Sequence, residues 1–283
     1  MLNLLIQGLA LSGLYALIAV GFTMIFSVGR VLNLAYGTYI MLGGYVYFTI
    51  VQEQGLPKVA GFAGALIAGG LFAVIVYEFL VRRLEGNPKA VSISTLILAV
   101  AMQALIVLIY RPTSKSMWPV INGVFRYEEI FVTYNVIVAT VTSWVALGGL
   151  LILVRYTQFG RAVRAVSMDR KGAVISGIDP ERMNRATWMI SGALGALAGV
   201  FFATYTQLFP SMWVWPLIIA VAVVVVGGIG SIIGSLIVAH IIGFMEVVTT
   251  TYIAAELRGV FTMLLIIIVL VMAPKGLFGR GDI

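Results

Sequence analysis

The chain has 283 residues, 61% of them hydrophobic and 10% charged, against roughly 25% charged in a typical soluble domain, which excludes an ordinary soluble fold. Its formal net charge of +7 sits mostly in polar segments between apolar runs, a mark of membrane insertion rather than of nucleic-acid affinity. With no cysteine, it can form no disulfide, thiolate metal site or cysteine nucleophile.

Apolar runs of about 20 residues recur along the chain, long enough to cross a hydrocarbon core of roughly 30 Å. Lipid cannot satisfy backbone polar groups, so such runs must be helices or strands of a closed barrel. Barrel strands would alternate apolar and polar residues over about ten positions, whereas these runs are longer and apolar all round. The expected fold is all-α: one polytopic transmembrane helical bundle over residues 1–283.

In chain order the expected spans are Leu2–Val28, Val31–Val51, Val59–Val81, Val91–Tyr110, Tyr134–Val154, Ala186–Leu208, Met212–Val226, Ile232–Thr251 and Gly259–Ala273. The first run has no basic segment before it and reads as a retained span rather than a cleaved signal. The breaks at Gly29–Asn33 and Gly227–Gly230 are very short, so each is either a full reversal between two spans or a re-entrant bend, giving about 8–9 spans. Within Gly29–Gly37 the polar residues Arg30, Asn33 and Tyr36 follow an apolar helix, with Thr38 just beyond. Backbone groups freed there need a lined cavity or burial in protein, so Asn33 and Tyr36 either face a pathway or cap and pack.

Small residues recur every fourth position at Gly61/Ala65/Gly69, Ser191/Gly195/Gly199 and Ser231/Ser235/Ala239/Gly243. Such series let helix backbones approach closely, either as plain packing or where half-helices meet at a transport route. Glu78 lies one turn from Arg82 and is expected to pair with it. His240 is the only histidine, and Glu246 follows six residues on, a net rotation of about 240° around a helix. The two therefore face apart, and His240 reads as a packed or hydrogen-bonded residue rather than half of a proton relay.

The segment Arg155–Arg185 carries seven of the 18 basic residues, opposed by Asp169, Asp179 and Glu181. With nine passes, an outside N-terminus and an inside C-terminus, 13 basic residues lie inside and five outside, as the positive-inside rule requires. Within the segment, a helix over Gly160–Met168 would set Ala162, Val163 and Val166 on one side and Arg161 and Arg164 on the other. Gly172 and Gly177 permit turns. Asp179 is a suitable N-cap, and Pro180 a suitable first residue, for the next span. The segment is either a solvated inside loop or a docking element for a partner. No HExxH, GxSxG or GxxxxGK[ST] pattern is present, so no catalytic or phosphate-binding set is visible.

FGRAVRAVSMDRKGAVISGID from Phe159, followed by SGALGALAG from Ser191, resembles the cytoplasmic coupling segment of permeases in ABC importers for branched-chain amino acids. GLYALIAVGFTMIFSVGRVLNLAYGTYIMLGGY from Gly13, GGIGSIIGSLIVAHIIG from Gly227 and MAPKGLFGR from Met272 are similar to the same family, in its order, across nearly the whole chain. The likeness is to the shorter permease type. The chain departs from the family at Leu34 and Tyr36, where phenylalanine and histidine are frequent. The resemblance implies an importer permease of a bacterial or archaeal cytoplasmic membrane, working with two ATPase subunits, a second permease that is a copy or a relative, and an external substrate-binding protein, among membrane lipid and without nucleic acid. ATP and magnesium would belong to the ATPase subunits. Gly160, Arg161, Val163, Arg164, Val166, Asp169 and Gly177 would be the ATPase-coupling residues. Asn33, Tyr36, Thr38, Gly230 and Gly234 would lie on the pathway, where the two breaks would approach one another. The competing reading is a stand-alone secondary transporter or channel, for which only His240 and Glu246 are offered as deep ionisable groups; a membrane-embedded enzyme lacks its catalytic set.

Overall fold

The computed structural model describes residues 2–127, 130–273 and 276–278. Glu128 and Glu129, and Pro274, Lys275, Gly279 and Arg280 of the MAPKGLFGR stretch, lie outside the described residues. The helices are α1 (Leu2–Gly29), α2 (Tyr36–Phe48), α3 (Lys58–Val76), α4 (Pro88–Tyr110), α5 (Tyr134–Tyr156), α6 (Gln158–Met168), α7 (Arg170–Ile175), α8 (Pro180–Thr206), α9 (Val214–Gly227), α10 (Ile232–Tyr252) and α11 (Val260–Met272). Wide π turns prolong α2 over Thr49–Glu53 and α3 over Tyr77–Val81. A hairpin unforeseen from the sequence pairs β1 (Val124–Tyr127) with β2 (Ile130–Thr133), Val124 opposite Thr133.

Among the described residues, seven helices are long and apolar enough to cross a membrane, and the chain is an all-α polytopic protein. Of the four expected spans that flank the short breaks, the second and the seventh are short as α-helices, whereas α1 and α10 are full-length. At 14 residues, α9 rises only about 21 Å, less than a hydrocarbon core. The 13-residue α2 starts at Tyr36 rather than Val31, because residues 30–35 are non-helical. The expected span from Ala186 lies within α8, which starts at Pro180, as the Asp179 cap and Pro180 predict. The Asp179 carboxylate accepts from the Glu181 and Arg182 amides, so this charged turn is the capped first turn of the helix.

The chain divides into two compact units; three of the four divisions fall inside α1, α5 and α9, and the fourth between α4 and β1. One unit comprises Met24–Trp118 and Gly148–Leu217. Its centre is α2, α3 and α8, and the small-residue series explain the packing. A Cβ on Gly199 would overlap the Ile40 carbonyl oxygen, and one on Gly69 would stand 2.6 Å from that of Gly192. Backbone therefore lies against backbone, where dispersion contacts supply the attraction that lipid-exposed helices lack. Buried aromatics fill the layers, with Tyr39 edge-on to Phe72 at 5.8 Å and Tyr77 against Trp188 at 5.5 Å.

The other unit comprises Met1–Thr23, Pro119–Leu147 and Ile218–Ile283. Here α1 lies along α10: Gly243 meets Ser12, and the hydroxyls of Thr23 and Ser235 are 2.7 Å apart. His240 Nδ1 is 2.7 Å from the Leu236 carbonyl, and its ring packs on Trp144. Glu246, with a side chain only 1% exposed, is ion-paired to Arg258 at 2.5 Å and accepts from the Tyr15 hydroxyl at 2.8 Å. The turn after α9 is covered by residues 276–278: Leu277 N–H donates to the Val226 carbonyl at 2.8 Å, and Phe278 touches Gly234.

Candidate functional site: the basic segment and the break after the first helix

Residues 157–179 fold as two short helices held by their ends. The Thr157 hydroxyl accepts from the Gly160 amide at 3.1 Å and so caps α6. Gly160 lies directly on the Val154 carbonyl, where a Cβ would overlap the backbone, and the Arg164 guanidinium donates to that same carbonyl. The last turn of α5 thus has its unsatisfied oxygens met by the first turns of α6. Asp169 caps α7 through the Lys171 amide at 2.9 Å. At the other end of α7, Gly177 takes φ +78°, and Gly177 N–H and Ile178 N–H bond Val174 and Ala173. That pair of bonds is the Schellman helix-ending motif, which favours glycine at this left-handed position.

The apolar side of α6 does not face outward. Val163 and Val166 are buried with Val28 and Ala173, flanked by Phe159, Ile178 and Met183. The two valines are therefore taken up by the chain's own end of α1, and the surface left open is the other one. Arg161 is exposed there, with Lys171 and Arg182 nearby in sequence. Three apolar side chains within residues 168–175 are strongly exposed: Met168 at 71%, Val174 at 55% and Ile175 at 87%.

The acids of this region are all engaged within the chain. Glu78 pairs with Arg82 at 3.0 Å and with Arg185; Glu181 pairs with Arg82 at 2.5 Å and with Arg185 at 3.6 Å; Glu85 pairs with Arg170 at 3.1 Å. The expected Glu78–Arg82 pair is present and belongs to a larger network that braces the end of α3 against α7 and α8. Each exposed pair contributes only about 0–1 kcal/mol, so the network matters more for charge than for stability. Asp169 and Asp179 are occupied as caps. Arg161, Lys171 and Arg182 have no acidic partner among the described residues, which leaves the open surface basic.

The break between α1 and α2 is closely organised. Arg30 turns the chain at φ +49°, and its guanidinium donates to the Ser167 carbonyl at 3.0 Å. A cation at the last turn of α6 meets the negative end of that helix, an interaction of about 0.3–1 kcal/mol. The Leu32 carbonyl accepts from Ser92 at 3.2 Å, and the Leu34 amide donates to Thr95 at 3.1 Å, so two hydroxyls of α4 satisfy the freed backbone. Asn33 accepts from the Ala35 amide at 3.0 Å and donates to the Tyr39 hydroxyl at 2.9 Å; Thr38 donates to the Ala35 carbonyl at 2.6 Å. Asn33, Tyr36 and Thr38 are fully buried, and Tyr36 lies against Gly195. Gly230 and Gly234 belong to the other unit, where Gly230 takes φ +83° and Gly234 touches Gly227. Each break is thus built within its own unit.

Sequence reasoning missed Val28, Ser92, Thr95 and the exposed trio Met168, Val174 and Ile175, and it placed Arg30 in the break without giving it a role. Arg30 carried a signal, as a lone charge directly after an apolar helix. Ser92 and Thr95 carried none beyond being hydroxyls on an apolar run.

A model of the family described as the branched-chain amino acid transport system permease component matches residues 4–270. The chain belongs to this permease family. It is a family of transport-system components and not of enzymes. The permease is 29% identical over 297 residues to the high-affinity branched-chain amino acid transport system permease protein LivH of Escherichia coli (strain K12), covering 100% of this chain and 96% of that protein. It is 28% identical over 297 residues to the corresponding protein BraD of Pseudomonas aeruginosa, covering 100% and 97%.

Proposed function

We propose that this permease is the membrane-spanning subunit of an ABC importer that carries branched-chain or other hydrophobic amino acids. Two ATPase subunits dock on α6 and α7, a second permease of the same or a related sequence completes the membrane part, and an external binding protein delivers cargo. The observation that carries this reading is the surface of the basic segment. Its apolar side is anchored inward and its acids are neutralised internally. What it presents are three exposed apolar side chains, Met168, Val174 and Ile175, together with cations that have no acidic partner among the described residues. Exposed apolar side chains among charged ones suit an interaction surface, and the unbalanced positive charge selects a partner groove with an acidic rim. ATP and magnesium belong to that partner, since this sequence carries no phosphate loop. Of the seven coupling residues, Gly160, Val163, Arg164, Val166, Asp169 and Gly177 shape the segment, and Arg161 faces the partner.

The topology has an outside N-terminus, an inside basic segment and an inside C-terminus. Its alternation is supported by the polar contacts within the larger helical unit. Arg30 reaches Ser167 and Arg170 reaches Glu85, all on the inside in this topology. Gln52 meets Ser116 and Lys115 pairs with Leu208, all on the outside. The breaks at Gly29–Gly37 and Gly227–Gly234 supply the parts that reshape during transport. In this reading Asn33, Tyr36 and Thr38 hold the first break in form, and Gly230 and Gly234 do so for the second. A stand-alone ion-coupled carrier would need a free deep acid, and Glu246 is tied to Arg258 and Tyr15.

The test is charge reversal of the exposed cations. Arg161→Glu with Lys171→Glu should leave the permease in the membrane at wild-type level and abolish co-purification of the ATPase subunits. Unchanged recovery of the ATPase would refute docking at this surface.

A further inference from the structure

The docking helix α6 and the break after α1 lie far apart in sequence, yet they are joined at two adjacent points. Val28, in the last turn of α1, packs among Val163, Val166 and Ala173. Two residues on, the Arg30 guanidinium holds the Ser167 carbonyl at 3.0 Å. Arg30 itself sits at φ +49°, a left-handed conformation that glycine adopts freely and a bulky L-residue does not. A glycine would meet the demands of the turn at lower cost, so the contribution of Arg30 lies in its side chain.

The far end of the break is held differently. Leu32 and Leu34 are bonded through their backbone to Ser92 and Thr95 of α4, and Asn33 fixes the start of α2. A displaced α6 would therefore pull on a short non-helical run clipped at its other end to α4. Guanidinium-to-carbonyl bonds at a helix terminus are charge-assisted and directional. The valine contact can slide, but the Arg30 bond cannot lengthen without breaking.

We propose that Arg30 is a positioning residue for transport: it makes the docking helix and the break move as one piece, so that a displacement of α6 reshapes the entry into α2. The proposal rests on the reading of α6 and α7 as the ATPase-docking segment.

The complete transporter, reconstituted in liposomes with its ATPase subunits and loaded binding protein, provides the test. Arg30→Asn removes the guanidinium while keeping a residue that tolerates positive φ. It should leave ATPase co-purification intact and lower cargo uptake per ATP hydrolysed by roughly two- to thirtyfold, the range by which residues along a coupling route shift it. Arg30→Lys, which keeps a cation within reach of Ser167, should recover a large part of that ratio. Wild-type uptake per ATP in Arg30→Asn would reduce Arg30 to a helix cap and overturn the proposal. So would loss of the ATPase from that variant, because the residue would then serve docking itself. If the wild-type permease fails to retain an ATPase, it is the docking reading that falls. A second measurement keeps Arg30 in place. With spin labels on Gly29→Cys, half-buried beside Arg30, and on Ser176→Cys, exposed after α7, in this otherwise thiol-free chain, the label separation should be the same in nucleotide-free and nucleotide-bound complexes. A changed separation would show that the two parts move independently.

Discussion

Val166 and Ile175 lie within the same short helical pair and should respond oppositely to the same substitution. Val166 is 4% exposed in the cluster with Val28, Val163 and Ala173, whereas Ile175 is 87% exposed. Trimming Val166 to alanine removes two carbons from a filled site, about 1.6 kcal/mol of transfer free energy plus a cavity contribution, so about 2 kcal/mol in all. Val166→Asp is harsher, because a buried carboxylate with no hydrogen-bond partner costs several kcal/mol. That exceeds what the valine cluster supplies, so α6 should detach from the end of α1. The readouts are thermal unfolding of the purified permease in detergent and its limited proteolysis near residue 160. Val166→Asp should lower the melting temperature and open the segment to protease even when no ATPase is present. Ile175→Asp should leave both unchanged and lose only the ATPase. If Val166→Asp instead keeps its melting temperature and loses only the ATPase, the apolar side of α6 faces the partner and the assignment of surfaces is inverted.

Three further outcomes follow from the same geometry. Gly160→Val should prevent accumulation of folded permease, since its side chain would occupy the site of the Val154 carbonyl; in-gel stability of a fluorescent fusion reads this out. Thr95→Val leaves the Leu34 amide without its acceptor and should destabilise the protein by about 1–3 kcal/mol, whereas Ser92→Ala, at a half-buried site, should cost less; paired denaturation curves compare them, and equal losses would count against the account of the break. A cysteine at Ser176, exposed after α7, should resist an impermeant external thiol reagent in intact cells and react after permeabilisation; labelling in intact cells would reverse the topology.

Much of the fold was legible because lipid imposes one demand everywhere, and runs such as Pro88–Tyr110 satisfy it by composition alone. Helix ends were legible where a side chain does the capping, as at Asp179. They were misplaced where no side chain caps the helix, as at α2, which starts at Tyr36 rather than Val31. The amphipathic pattern of α6 correctly showed two unlike sides but not which one was already occupied, because Val28 lies far from Val166 in sequence. The same holds for Arg30 and Ser167, and for Tyr15, Glu246 and Arg258, whose pairing joins three separated segments. The hairpin around residues 124–133 was hidden for a different reason: its strands are four residues each, too short for alternation to stand out.

The seal over the turn after α9 has a consequence for biosynthesis. The Val226 carbonyl accepts from the Leu277 amide, and Gly228 packs against Gly276. A chain still on the ribosome can therefore insert every helix through α10 while this turn remains open, its carbonyl still without that donor and its glycines uncovered. It closes only once residues 276–278 are free of the ribosome, so the turn after α9 is completed after α11 has been made rather than when α9 itself inserts.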